Sequence, residues 1–77
     1  MLDSRKIASK IAQLRGERGM TQEEVAARLY VSRQAVSSWE KGMTMPSIES
    51  FIMLMELFDT DLEELLCLRR KQNENQI

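Results

Sequence analysis

Histidine is missing altogether from the 77 residues, and cysteine occurs once, as Cys67. Without imidazole the commonest general base and metal ligand is absent. One thiolate builds neither a zinc site nor an internal disulfide. The chain has three glycines, and no glycine-rich phosphate loop. Its carboxylates fall at helix starts and on exposed faces. These absences argue against an enzyme, and no metal or cofactor is expected. No apolar run approaches the roughly 18 residues of a membrane span. The first residues, MLDSRKIASK, lack the apolar centre of a secretory signal. A reducing, cytoplasmic setting is expected, with Cys67 acting as a small hydrophobe. Aromatic residues make up 5% of the chain, and Trp39 is the sole tryptophan. Its neighbours make it core rather than a stacking platform.

What is present is a series of short helical patterns. A length of 77 residues fits one domain; we take it as 1–70, followed by a polar tail at 71–77. Asp3 or Ser4 caps a first helix over 5–18. Ile7, Ile11 and Leu14 form its apolar stripe, with Ala8 and Ala12 beside them. Gly19 suits the position just after its end. Thr21 and Glu24 make a capping box for a second helix over 22–29, and Met20 precedes the cap as a staple residue. Ser32 caps a third helix over 33–41. Gly42 ends it, and Pro46 interrupts the chain before Ser47 caps a fourth helix over 48–58. There Ile48, Phe51, Ile52 and Met55 recur at helical spacing. Leu54, Leu57 and Phe58 make the helix apolar around most of its surface, so it is expected to be the buried one. The Met residues at 43, 45, 53 and 55 read as packing and loop filler. Thr60 and Glu63 form a second capping box, for a fifth helix over 61–70. Acids at its start and Arg69, Arg70 and Lys71 at its end suit the helix dipole.

The stretch QEEVAARLYVSRQAVSSWEKG, residues 22–42, is the organising one. The connection from Leu29 to Ser32 is too short for a loose linker and forces the two helices to cross steeply. Val25 and Leu29 share one face of the second helix, and Val36 and Trp39 one face of the third. Val31 plugs the gap between them, and Ala26 lets the helices approach. Arg33, Gln34, Ser37 and Ser38 are left outward on the third helix. Arg and Gln pair bidentately with guanine and adenine edges in a major groove. Ala35 reaches a thymine methyl if it is not turned inward. Gln22 sits at a helix N-terminus, where free N–H groups and the dipole favour a phosphate. Lys41, at the end of the third helix, is a further phosphate contact.

This segment, extended by PSIESFIMLMELFDTDLEELL, resembles the lambda-repressor-like, Cro/C1-type helix-turn-helix regulators of bacteria and phage. The resemblance implies an all-α, five-helix DNA-binding domain with the helix-turn-helix at helices two and three. It implies phosphate contacts from Gln22 and from the cap Ser32. It also implies a pair between Arg15 and Glu40 that ties helix one to helix three and turns Arg15 toward phosphate. Tyr30 departs from the pattern, since many members carry Gly there; a residue with a side chain implies strain or an altered turn. The loop Met43-Thr44-Met45 lacks the basic residues that some relatives place there.

Charge is distributed unevenly. Residues 1–45 hold eight Lys/Arg and five acids, whereas 46–77 hold three and seven, so the halves carry net +3 and −4. That suits a DNA-facing front using few phosphate contacts. The leucines of helix five, Leu62, Leu65, Leu66 and Leu68, exceed what a small core needs and are candidates for a dimer surface. The expected function is a sequence-specific, homodimeric regulator of transcription, a repressor, on a two-fold symmetric stretch of double-stranded DNA. The alternative is a protein-interaction module, such as an antitoxin or an antagonist of a larger regulator. Its working surface would be the acidic rear half and helix five.

Overall fold

The chain's starts and stops decide its fold. The computed structural model describes residues 2–68. They form five helices in the order α1 (Ser4–Glu17), α2 (Gln22–Leu29), α3 (Arg33–Glu40), α4 (Ile48–Phe58) and α5 (Leu62–Leu65). The architecture is all-α. None of the described helices is long and apolar enough to cross a membrane.

Each start uses a short polar side chain to bind an otherwise orphaned N–H. The Asp3 carboxylate accepts from the N–H of Arg5 at 3.0 Å and of Lys6 at 3.3 Å. Thr21 Oγ1 accepts from Glu24 N–H at 3.0 Å, while the Thr21 N–H donates to Glu24 Oε1 at 2.8 Å. That completes the capping box of α2. Ser32 and Ser47 cap α3 and α4 through the N–H of Ala35 and of Ser50, each at 3.1 Å.

Each end uses one device, a left-handed residue that lets the next two N–H groups fold back onto the last turn. After α1, Gly19 N–H donates to Gly16 O at 3.0 Å and Met20 N–H to Arg15 O at 3.1 Å. Gly42 takes the same position after α3 with φ 75°. After α2, α4 and α5 the left-handed residue is not glycine: Tyr30 has φ 60°, Asp59 53° and Cys67 59°. The matching long bonds run from Val31 to Ala26 at 3.0 Å, from Thr60 to Met55 at 3.0 Å and from Leu68 to Glu63 at 2.8 Å. A left-handed conformation costs about 1–2 kcal/mol in a residue with a Cβ. The strain implied by Tyr30 is therefore present.

Two sequence expectations fail for this reason. The fifth helix does not run over 61–70. Cys67 turns left-handed, and α5 ends at Leu65. No residue type at 67 announces that turn. Nor does Thr60 cap it. Thr60 N–H is committed to closing α4, so the cap moves to Asp61, whose carboxylate accepts from Glu64 N–H at 2.8 Å. Thr60 Oγ1 is left buried without a hydrogen-bond partner among the described residues. The part of the expected helix beyond residue 68, the boundary at 70 and the tail 71–77 lie outside the described residues.

The core joins all five helices. Ile7, Ile11 and Leu14 of α1 meet Val25, Ala26 and Leu29 of α2, Val36 and Trp39 of α3, Leu54 and Phe58 of α4, and Leu65 of α5. Arg18 closes one end, donating to the Phe58 carbonyl with its guanidinium 5.9 Å from that ring's centroid. Helix α4 is not the buried helix its composition suggests. It turns Ser50, Leu54 and Phe58 inward, and leaves Ile48 76% and Ile52 48% exposed. Leu65 is fully buried, which removes it from the candidate dimer surface. Leu66 packs partly on the core, whereas Leu62 and Leu68 are exposed.

Tyr30 is 87% exposed, so its side chain gains little to offset its strained backbone. Tyr30→Gly is expected to stabilise the fold by about 1 kcal/mol, read as a higher urea midpoint. An unchanged or lower midpoint would show that the turn carries no strain.

Candidate nucleic-acid interface

Helix α3 has eight residues, too few to be stable alone. It is held by Val36 and Trp39, both buried, and by its packing against α2 and α1. At about 100° per residue, those two anchors fix which side chains point away. Gln34 lies nearly opposite the buried face, with Ser37 and Ser38 to either side and Lys41 about two turns further on. Gln34 and Lys41 are exposed; Ser37 and Ser38 are half-buried. Lys41 follows the helix as its C-cap rather than lying within it. Ala35 is partly buried and packs against the core, on the inner side of α3 rather than with Gln34 on its outward face.

Arg33 falls at the edge of this face. It lines a shallow cleft with Arg15, Gly19, Met20, Thr21, Gln22 and Glu23, at the N-terminus of α2. Two guanidinium groups thus flank the positive end of a helix, which suits an anion. The sequence reading gave Arg33 only to the bases and did not link it to this cleft.

The cleft is organised by Glu40. Arg15 Nε donates to Glu40 Oε2 at 2.7 Å and Arg15 Nη2 to Glu40 Oε1 at 3.0 Å, a bidentate fork. Gln22 Nε2 donates to the same Oε1 at 2.9 Å. Arg15 Nη1 also donates to the Met20 carbonyl at 2.9 Å. The Glu40 side chain is only 7% exposed, whereas that of Arg15 is 24% exposed. Hydrogen bonding to Glu40 holds the Arg15 guanidinium above its ordinary pKa, against the opposing effect of burial. One carboxylate therefore ties α1, the start of α2 and the end of α3 together. Spacing along the chain carries no signal for the Gln22 bond, because it joins residues 18 apart on different helices.

Gln22 keeps a second amide hydrogen and its carbonyl oxygen for other partners. Ser32 Oγ accepts from Ala35 N–H, and its own proton remains to donate outward. Gln22, Ser32, Arg15 and Arg33 therefore border the outward face of α3.

This geometry belongs to a known class of fold. Residues 11–65 match the helix-turn-helix family HTH_3. The chain is 39% identical over 66 residues to the uncharacterized HTH-type transcriptional regulator y4dJ of Sinorhizobium fredii, covering 84% of this chain and 86% of that one. It is 44% identical over 57 residues to the HTH-type transcriptional activator BcrR of Enterococcus faecalis. That match covers 74% of this chain but only 28% of the activator. Among solved structures, the P22 c2 repressor in complex with a synthetic operator superposes with a TM-score of 0.74 at 25% identity, covering 78% of this chain and 91% of the repressor. The chain belongs to the helix-turn-helix family of Cro/C1-type transcriptional regulators.

Removing one partner from a largely buried ion pair strands the other charge. Arg15→Met is expected to cost about 3 kcal/mol by urea unfolding, and adding Glu40→Leu to recover most of that. A loss from Arg15→Met that the second substitution only deepens would contradict a stranded carboxylate as the cause.

Proposed function

We propose that this chain binds double-stranded DNA sequence-specifically and represses transcription as a homodimer, with α3 in the major groove. The observation that carries the reading is the polar outward face of α3 set beside a cleft lined by Arg15, Gln22 and Arg33 at the N-terminus of α2. Bases and phosphates need different chemistry, and the two surfaces supply it side by side. Gln34, central on the outward face, reads a base edge, with adenine the best match to its amide. Ser37 and Ser38 read neighbouring positions. Arg33 spans the boundary and reaches a guanine or the adjoining phosphate.

The phosphate contacts are Gln22, Ser32, Lys41 and Arg15. Gln22 donates its remaining amide hydrogen, Ser32 its hydroxyl proton, and Arg15 and Lys41 their charge. These few contacts sit on a half-chain of net +3. That balance favours selective binding over coating of any duplex.

One recognition helix spans only a handful of base pairs. Two copies on half-sites about one helical turn apart extend the sequence read and supply the missing affinity, which makes the target a two-fold symmetric operator. Where such a site overlaps a promoter, occupying it blocks transcription. The operator-bound repressor among the structural neighbours supports that direction, and an activator among the relatives marks the opposite one. The site of action is the cytoplasm, on the nucleoid. An alternative role in binding another protein would use the acidic rear surface and leave α3 free.

Two substitutions separate the roles. Gln34→Ala is expected to cost about 1–3 kcal/mol on the preferred duplex and nothing on a scrambled one. Gln22→Ala is expected to weaken both alike. Fluorescence anisotropy at fixed salt reads both. Equal losses on the two duplexes for Gln34→Ala would remove it as a base reader.

A further inference from the structure

The end of α3 and the start of α1 meet at Gly42. Its φ is 75°, and the chain turns back there, with Met43 N–H donating to Ser38 O at 3.0 Å. That turn lays Gly42 against α1. A Cβ added at Gly42 would lie 3.7 Å from the Ser4 carbonyl oxygen and 3.8 Å from both Ala8 Cβ and Arg5 Cγ. Arg5 and Lys41, the residue before Gly42, therefore leave neighbouring points of the surface. Both are exposed. Among the described residues, the side chain of neither has a hydrogen bond or an ion pair. Asp3, the acid next to Arg5 along the chain, uses its carboxylate to accept from the backbone N–H of Arg5 and of Lys6.

We propose that Arg5 is a further DNA-contacting residue, which with Lys41 binds a phosphate beyond the C-terminal end of α3. The inference rests on the DNA reading above and adds a second hold on the backbone. The first hold is the cleft of Arg15, Gln22 and Arg33. Arg33 and Lys41 are eight positions apart, about 12 Å along the helix axis. A major groove is also about 12 Å wide, so the two holds meet different phosphates. Backbone contacts fix the register of a helix on the duplex, and a hold at one end alone leaves it free to pivot.

The stretch after Lys41 cannot supply the second hold, because residues 42–68 contain six acids and no Lys or Arg. Of the nearby cations on α1, Lys10 pairs with Glu64 of α5. Lys6 lies one turn before Lys10 on the same face of the helix. That leaves Arg5 beside Gly42. The two partners differ in what they give. A guanidinium offers a phosphate two parallel N–H donors, whereas an ammonium acts as a point charge, so Arg5 adds direction and Lys41 adds charge. Arg5 and Arg15 are ten positions apart on one helix, about 15 Å. Helix α1 therefore sets the spacing between the two holds.

Fluorescence anisotropy of the full chain on the preferred duplex and on a scrambled one, over a range of salt, tests the contact. Arg5→Ala is expected to weaken both complexes alike, by about fivefold to tenfold at low salt. It is also expected to flatten the slope of log affinity against log salt by about 1. Arg5 is exposed, so the variant is expected to keep its urea midpoint. Lys6→Ala, with the same loss of charge, is expected to change affinity and slope far less. Neutral methylphosphonate linkages, placed one at a time along the preferred duplex, then locate the phosphate. The linkage that weakens wild type but adds little to Arg5→Ala is expected to be the one that adds little to Lys41→Ala. It is expected to differ from the linkage silenced by Gln22→Ala. A wild type that binds duplex, with Arg5→Ala binding equally and with the same slope, overturns the proposal and leaves the DNA reading standing. Losses from Lys6→Ala as large as those from Arg5→Ala overturn it too, since net charge alone would then account for them. A wild type that binds neither duplex refutes the DNA reading and this contact together.

Discussion

A single carboxylate, that of Glu40, fixes how the helices of the front half sit on one another. Burying a charge is costly unless it is paired and hydrogen-bonded in good geometry. Glu40 meets that demand with two hydrogens from Arg15 on α1 and one from Gln22 at the start of α2. These bonds are directional, so satisfying them also sets the angle of α3 against its neighbours. Arg15 and Gln22 also line the cleft beside α3. The electrostatics of the site and the geometry of the fold are thus one arrangement, and neither changes without the other. Set against well-packed apolar residues such a pair adds little stability; its effect is on placement.

Placement matters because the elements are weak individually. Helices α2 and α3 have eight residues each and α5 has four, far below the length at which an isolated helix persists. They exist because caps bind their free N–H groups, reverse turns bind their free carbonyls, and a shared core holds one face of each. Three of those reverse turns place a left-handed backbone on a residue with a side chain. The chain accepts that strain at Tyr30 and Cys67, where glycine would relieve it. The result is a rigid, short-looped platform carrying a small polar face.

Most of this plan was legible in the sequence, and the failures are local. The residue types Thr21, Ser32 and Ser47 mark starts, because a short oxygen-bearing side chain suits a cap wherever it occurs. The bounds expected for α2 match those observed, and the approximate ones expected for α4 agree with Ile48–Phe58. Ends were harder. Gly19 and Gly42 announce left-handed turns, whereas Cys67 does not, and α5 was read too long. The fate of α4 was misread because two apolar stripes on one helix do not say which of them the core takes. Within the site, the outward set on α3 followed from Val36 and Trp39 alone. The grouping of Arg33 with Arg15 and Gln22, and the bond from Gln22 to Glu40, depend on the crossing of three helices. No spacing within one helix encodes them.

The central claim is that α3 reads a base sequence from the major groove. Selection from a pool of randomised duplexes, with purified protein at near-physiological salt, addresses it most directly. The account predicts enrichment of a two-fold symmetric site whose half-sites lie about one helical turn apart. Folded protein that enriches no sequence over the starting pool would contradict it.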